Sequence, residues 1–375
     1  MSFQFQSVAA LSPFIVQEYA ATLVDIGLLI GLYLAPGIVI SIPGGAIAAR
    51  FGDKNVVVLS MILMLIGGLL TIFAPSWEWV LIARLVAGTG GVIVSVVMTK
   101  MLVDWFVGRE ISTAMAIFIN SWPVGIALAL LTLPAIGEIG GLGLARSVVL
   151  SVVAVGLVTF ILAYRAPENA PPPNAGLKVE KFPLPTLLLS SFTWGCYNIA
   201  LIMIISFGSG VLNQQGWTFA TAGMVVSAFL IAFSISVPIG GFLADRTGRR
   251  DSFIMTSFLS FIILMPVVPY LPPWAVVAVF VVVGILFGLG AGPVMSLPTE
   301  VLPPNARAFG MGVFYSVYFS MTMVAPAIAG KISDRMENVT ATLFFGVFVL
   351  ILAAISLGFF RRLHTGGKAA GIPPT

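Results

Sequence analysis

The chain has 375 residues, 59% of them hydrophobic and only 9% charged, with a formal net charge of +4. Soluble domains carry roughly 25% charged residues, so this composition excludes an ordinary soluble protein and points to an integral membrane chain. A lone cysteine, Cys196, excludes an intrachain disulfide, and in a membrane protein an excess of Lys and Arg reports loop orientation rather than affinity for nucleic acid.

Met1 leads into SFQFQSVAALSPF without a basic leader or a small-residue cleavage site, so no cleaved signal peptide is expected. A helix needs about 20 mostly apolar residues to cross a bilayer. Twelve such runs follow, at 1–19, 23–49, 55–74, 77–99, 111–134, 143–164, 184–209, 217–244, 252–271, 274–298, 308–330 and 339–360. None shows the apolar–polar alternation of a barrel strand, so all twelve read as helices. The Pro-rich, polar stretch at 166–183 reads as a linker. The expected organisation is a six-helix bundle at 1–165, that linker, a second six-helix bundle at 184–361 and a tail at 362–375.

With the amino terminus inside, 14 of the 18 Lys and Arg residues fall on inner loops and tails, and only Arg146, Lys331 and Arg335 on outer ones. This bias predicts both termini in the cytoplasm. Arg84 lies inside a span as drawn, about seven residues in from Trp77, whereas every other Lys and Arg can reach an interface.

The segment GGFLADRTGRR at 240–250 has a fainter copy, GGAIAARFGDK, at 44–54. The offset is 196 residues. At the same offset Thr22 meets Thr218, Gly27 meets Gly223, Arg50 meets Arg246, Gly52 meets Gly248, Asp104 meets Glu300 and Met115 meets Met311. The halves are therefore parallel repeats, related by a pseudo-twofold axis along the membrane normal. Span seven begins near Leu184, so its counterpart would begin before Met1. The first helix is accordingly expected to be truncated by about a dozen residues relative to its repeat partner.

Several absences narrow the function. No phosphate-binding loop of the G-x-x-x-x-G-K-[ST] type occurs, so ATP is not the expected driver. The glycine cluster GLGAGP at 288–293 lies inside a span, which is no context for a dinucleotide site. The only histidine is His364, in the tail. A metal site, a histidine proton relay, a cofactor and an enzymatic activity are not expected.

On these residues the chain resembles the major facilitator superfamily of secondary transporters. GGFLADRTGRR resembles that family's signature loop, as does its copy at 44–54. Arg84-Leu-Val-Ala-Gly88-Thr-Gly90-Gly91 resembles the fourth-helix motif. Residues 292–319, GPVMSLPTEVLPPNARAFGMGVFYSVYF, are similar to the tenth-to-eleventh helix region of bacterial members near the cyanate-transporter branch. Two departures stand out. The first signature copy has Ala49 where the family has an acid, whereas the second keeps Asp245. The fifth helix, NSWPVGIALALLTLP, lacks the glycine–proline run of many drug/proton antiporters.

The resemblance implies that the signature loops form a latch between the halves, stabilising an outward-open state. The gating candidates are Gly44, Gly45, Arg50 and Gly52 in the first copy, and Gly240, Gly241, Asp245, Arg246, Gly248, Arg249 and Arg250 in the second. Glycines let helices approach closely. Asp245 can accept hydrogen bonds from the N–H groups of a facing helix start, and Asp245→Asn is expected to weaken that state more than any change at Ala49. A basic loop that only sets topology is the plainer reading.

A buried Arg84 needs a partner. An anionic solute, a carbonyl or aromatic group of the protein, and the proton-coupling role linked to this arginine in the family are three answers. No carboxylate lies deep in a span as drawn. The family lines its cavity chiefly with helices one, four, seven and ten, helped by five and eleven. That implies Arg84, Asn120, Trp122, Trp194, Tyr197, Asn198, Tyr315 and Tyr318 as solute contacts, although each residue equally suits a helix–helix contact or an interfacial position. The expected function is alternating-access transport of a small polar, anionic solute, with a proton as candidate coupling ion. The lipid bilayer is the surroundings, the inner membrane the location and a monomer the state. A drug or metabolite efflux antiporter is the main alternative. A non-transporting sensor would usually carry a soluble domain.

Overall fold

The computed structural model describes residues 1–165 and 181–369. Most of the expected linker, and the end of the tail, lie outside the described residues. All regular structure among the described residues is helical. The helices are α1 (Ser2–Ala10), α2 (Ser12–Tyr19), α3 (Leu23–Leu34), α4 (Pro36–Phe51), α5 (Asp53–Ile72), α6 (Trp77–Phe106), α7 (Ile111–Ala163), α8 (Leu184–Gln214), α9 (Phe219–Thr247), α10 (Arg250–Leu264), α11 (Pro273–Leu289), α12 (Ala291–Ser296), α13 (Arg307–Met336) and α14 (Ala341–Ala369).

Among the described residues, ten helical stretches are long and apolar enough to cross a bilayer. One of them, α7, has 53 residues and would run about 80 Å, far beyond the ~30 Å hydrocarbon core. It breaks at Gly140–Gly141, where Gly141 takes φ 69°, and so supplies two spans. The first span is α1 and α2. Pro13 lies in the opening turn of α2, where its missing N–H is tolerated, but it could not continue α1. The helices thus fit twelve spans. Span ten ends α11 at Leu289 and restarts as α12 at Ala291.

The repeat survives in local backbone chemistry. Thr22 caps α3 by accepting from Asp25 N, and Asp25 Oδ2 accepts in return from Thr22 N at 2.8 Å. At the equivalent position Thr218 caps α9 by accepting from Thr221 N at 3.2 Å. Each side-chain oxygen satisfies a first-turn N–H that the helix itself cannot. Gly52 ends α4 with φ 83° and Gly248 ends α9 with φ 68°. Both lie in the region that favours glycine.

By backbone contact the described chain divides into two units. One holds 1–105, 121–181 and 304–316. The other holds 106–120, 182–303 and 317–375. The borrowed segments 106–120 and 304–316 end at Asn120 and Ser316, which stand one repeat offset apart. Each unit thus contains the opening turns of a helix, α7 or α13, from the other sequence half. The first unit packs Val8, Leu29, Val80, Leu133 and Val149 together. The second stacks Tyr197 on Phe287 at 4.3 Å between centroids, with Phe233 and Phe261 alongside.

Candidate functional site

The second glycine–charge segment ends α9 and turns into α10. Here Asp245 accepts from Thr113 N at 2.7 Å, Ser112 N at 3.2 Å and Thr113 Oγ1 at 2.9 Å. These N–H groups open α7, and the first turn of a helix has no internal acceptor for them. A carboxylate there also meets the positive end of the helix dipole. Arg250 Nη2 also donates to Asp245 Oδ1, at 3.1 Å. Gly241 makes the approach possible, because a Cβ there would overlap the Ser112 carbonyl and the Ala116 methyl. Gly240 packs on Leu289, while Arg246 lies 5.9 Å from the Phe242 ring. Gly248, Arg249 and Arg250 line a cleft of about 370 Å³ with Asp251, Glu300 and Arg361. Arg361 pairs there with Asp251 at 2.5 Å and also with Glu300.

The first segment repeats the packing but not the cap. A Cβ on Gly45 would overlap the Ala308 carbonyl, and one on Gly312 the Ser41 carbonyl. Ala308 is the repeat counterpart of Ser112. Gly44 faces Ile93 and Arg50 stacks over Phe51. Ala49 offers no carboxylate to the start of α13. Instead a chain of charges lies nearby. Lys100 Nζ is 2.6 Å from Asp53 Oδ2 and 2.7 Å from Asp104 Oδ2, and Arg307 Nη1 donates to Asp104 Oδ1 at 2.9 Å. The Asp104 side chain is only 4% exposed and that of Arg307 11%.

The fourth span, drawn as 77–99, extends to Phe106 as α6 and so takes in Lys100 and Asp104. Arg84 is therefore not the only basic residue buried in a span: Lys100 and Arg146 are too. Sequence reasoning placed Lys100 and Arg307 on inner loops and missed the network. The usable signal was the pairing of Asp104 with Glu300 at the repeat offset, since each acid accepts from an arginine of another span.

Arg84 is 6% exposed. Its Nε donates to Leu29 O at 2.9 Å, Nη1 to Gln4 O at 3.0 Å and Nη2 to Phe5 O at 2.5 Å. The guanidinium also lies 4.4 Å from the Tyr33 ring centroid. Tyr33 in turn donates to Gln4 Oε1, and Gln4 Nε2 to Met64 O. Gly88 and Gly91 leave the space that Tyr33 fills. Among the three answers offered for Arg84, the protein's own carbonyls and aromatic faces are what surround it.

The other candidates divide between the two units. In the first, Tyr315 shares a hydrogen bond with Thr99 at 2.8 Å and Trp122 packs on Phe5 at 5.2 Å. In the second, Tyr197 donates its hydroxyl to Phe287 O at 2.8 Å, and Asn198 donates to Trp194 O at 2.9 Å within its own helix. Trp194 stacks on Tyr197 at 5.7 Å and lies 6.2 Å from Tyr318. It is 6% exposed, yet its Nε1 has no hydrogen-bond partner. The buried Oδ1 of Asn120 has none either. A buried polar atom left unpaired costs about 1–3 kcal/mol, so among the candidate solute contacts these two atoms stand apart. No group of His, Cys, Asp and Glu among the described residues could hold a metal.

Comparison with known proteins identifies the family. The family model described as Major Facilitator Superfamily matches residues 1–326, and again 184–372. A protein named as a probable 4-methylmuconolactone transporter of Cupriavidus pinatubonensis is 24% identical, over 98% of this chain and 88% of its own length. The hexuronate transporter of Bacillus subtilis is 20% identical, over 97% and 92%. The gentisate transporter of Corynebacterium glutamicum is 25% identical, over 85% and 75%. None of these three is a cyanate transporter. Among solved structures, the Escherichia coli fucose:proton symporter superposes with a TM-score of 0.78 at 11% identity, covering 96% of both chains. An all-helical chain of twelve spans, repeated at a fixed offset with a glycine–charge segment in each half, belongs to the Major Facilitator Superfamily and is a multi-pass membrane transporter, not an enzyme.

Proposed function

We propose that this transporter moves a small organic anion by alternating access across the bacterial inner membrane, as a monomer with both termini in the cytoplasm. The observation that carries the solute class is the buried, unpartnered indole N–H of Trp194 beside Tyr197 and Tyr318. An indole nitrogen only donates, so its complement is a solute rich in acceptors. Three relatives named for organic acids and lactones support the same class. Trp194 supplies the donor, Asn120 Oδ1 an acceptor for a solute hydroxyl, and the rings of Tyr197 and Tyr318 an apolar wall. Arg84 instead fixes α1 and α3 on α6 through the carbonyls of Gln4, Phe5 and Leu29. The bias of basic residues toward one set of loops supports the orientation. A proton is the candidate coupling ion, as it is for the fucose:proton symporter of the same fold.

The test is thermal stability of the purified chain with gentisate, a hexuronate and matched neutral alcohols. A specific anion at 100 times its dissociation constant stabilises by about 2.7 kcal/mol. Trp194→Phe keeps the aromatic wall but loses the donor, and the shift should vanish. Arg84→Gln should lower the baseline and retain the shift. Loss of the shift in Arg84→Gln but not in Trp194→Phe would return the anion anchor to Arg84. Equal stabilisation by neutral and anionic compounds would end the anion reading.

A further inference from the structure

Arg146 lies at the end of the first unit away from its signature segment. α5 carries the chain from that segment, at 44–54, to Ile72, and Ala74 and Trp77 then mark the opposite membrane face. The Arg146 side chain is only 8% exposed, yet its pairing is poor. Nη1 donates to the Tyr19 hydroxyl at 3.2 Å and to Glu18 Oε1 at 3.4 Å, while the buried Nη2 has no hydrogen-bond partner. Arg84 is the contrast, since each of its three nitrogens donates to a carbonyl. We propose that Arg146, with Tyr19, forms a binding site for a phosphate-type oxyanion at this face, carried by a lipid headgroup or free in solution. The site shares no residue with the solute contacts proposed above.

The charge is under-compensated. Glu18 is 48% exposed and meets Arg146 through one long contact, the kind of pair that is worth little. A guanidinium this deeply buried calls for a fuller partner. The open edge also has the right shape. A guanidinium offers paired N–H groups that match two oxygens of a phosphate, and here Nη1 is weakly held and Nη2 unused. Tyr19 donates its own hydroxyl to Ala74 O at 3.3 Å, which fixes its oxygen beside Nη1. The surroundings are those of headgroup depth. Arg146 lies 5.4 Å from the Tyr19 ring centroid, and Tyr19 lies 6.0 Å from Trp77. Tyr and Trp collect where hydrocarbon meets water. Finally, the architecture does not demand the charge. At the repeat offset Arg146 becomes Thr342, Glu18 becomes Gln214 and Tyr19 becomes Gln215. There Gln214 Oε1 accepts from Val339 N at 3.0 Å and Thr342 donates to Val339 O at 2.7 Å, closing the corner without an ion. Glu18 is thus a placeholder carboxylate, held loosely enough to give way to a better anion.

The test uses the full-length chain in a nonionic detergent, with Cys196→Ser and Glu18→Cys, and follows labelling of the new thiol by a neutral maleimide. Position 18 is half exposed, so the thiol is reachable, and an anion held by Arg146 would cover it. Phosphatidylglycerol, diacylglycerol and inorganic phosphate are added separately, the last against chloride at equal ionic strength. Phosphatidylglycerol, inorganic phosphate or both should slow labelling several-fold, and diacylglycerol and chloride should not. Slowing by inorganic phosphate assigns a free anion as sufficient, and slowing by the lipid alone assigns a headgroup. Arg146→Gln should raise the concentration that gives half-protection about tenfold or more. Arg146→Lys keeps the charge but loses the paired donors, and should fall between. It carries the test if the glutamine variant does not fold. Protection by neither phosphate source, equal protection by diacylglycerol or chloride, or protection undiminished in the Arg146 variants overturns the proposal.

Discussion

The two signature segments share a backbone and differ in their charges. Gly45 and Gly241 stand one repeat offset apart and meet the carbonyls of Ala308 and Ser112, which are also one offset apart. Gly52 and Gly248 end their helices with the same sign of φ. The glycine geometry has therefore been kept where the electrostatics have diverged. Asp245 caps the start of α7 directly, whereas Asp104 reaches the start of α13 through the Arg307 side chain. Ile111, the counterpart of Arg307, carries no charge. The supporting ions differ too. Arg361 bridges Asp251 and Glu300 in the second repeat, but its counterpart Arg165 is exposed, and Lys100 bridges Asp53 and Asp104 instead. Backbone contact demands a fixed atom at a fixed place; charge can be supplied from any neighbouring helix of sufficient reach.

The largest expected effect tests the strongest asymmetry. Arg84 has Phe280 as its counterpart, a polar hub facing an apolar one. Arg84→Met should destabilise by about 3–4 kcal/mol through loss of three charge-assisted bonds, while Phe280→Met should cost about 1 kcal/mol. Denaturation of the two purified variants compares them, and equal losses would remove the hub from the account.

Next come the shared glycines. Gly45→Ala and Gly241→Ala should each cost about 3 kcal/mol, since a carbonyl rather than a flexible side chain fills the space. Transport assays should show both variants similarly impaired. A tolerated alanine at one position only would mean that the packing, too, has diverged.

Asp245→Asn should be milder, about 1–2 kcal/mol, because the amide keeps one acceptor for the α7 start and loses the charge. Amide hydrogen exchange at Ser112 and Thr113 should accelerate by roughly tenfold. No change at Ala49 should match it, unless an acid is introduced.

The caps give the smallest effect. Thr22→Ala should cost about 1 kcal/mol and Thr218→Ala somewhat less, since Thr22 has a reciprocal partner in Asp25 and Thr218 has none of that kind. Exchange rates in the first turns of α3 and α9 measure the difference.

The fold was legible because a bilayer imposes simple rules. Length, apolar runs and the repeat offset give twelve helices in two parallel halves before any contact is known, while the family came from the resemblance of the glycine–charge segments and the Arg84 motif. Asp245 was legible as a cap for a similar reason: a carboxylate at a helix end, one turn after a glycine pair, has few other uses. What those rules could not reach is side-chain partnership across distant sequence. Arg84 read as a charge with three candidate partners, a solute, a coupling proton or the protein's own carbonyls and rings, because three carbonyls from α1 and α3 carry no mark in the sequence. Lys100 and Arg307 read as loop residues, because the ends of buried helices look like loops once they become polar.

By itself, then, the sequence determined the helices, their repeat and the glycines that let them touch, since each follows from the solvent around the chain or from backbone sterics. Only the tertiary structure decided which charges meet: Arg84 with carbonyls, Asp245 with the α7 start, Asp104 with Arg307. Those pairings depend on distances between residues far apart in the chain, and a few ångströms decide whether a buried charge is held or stranded.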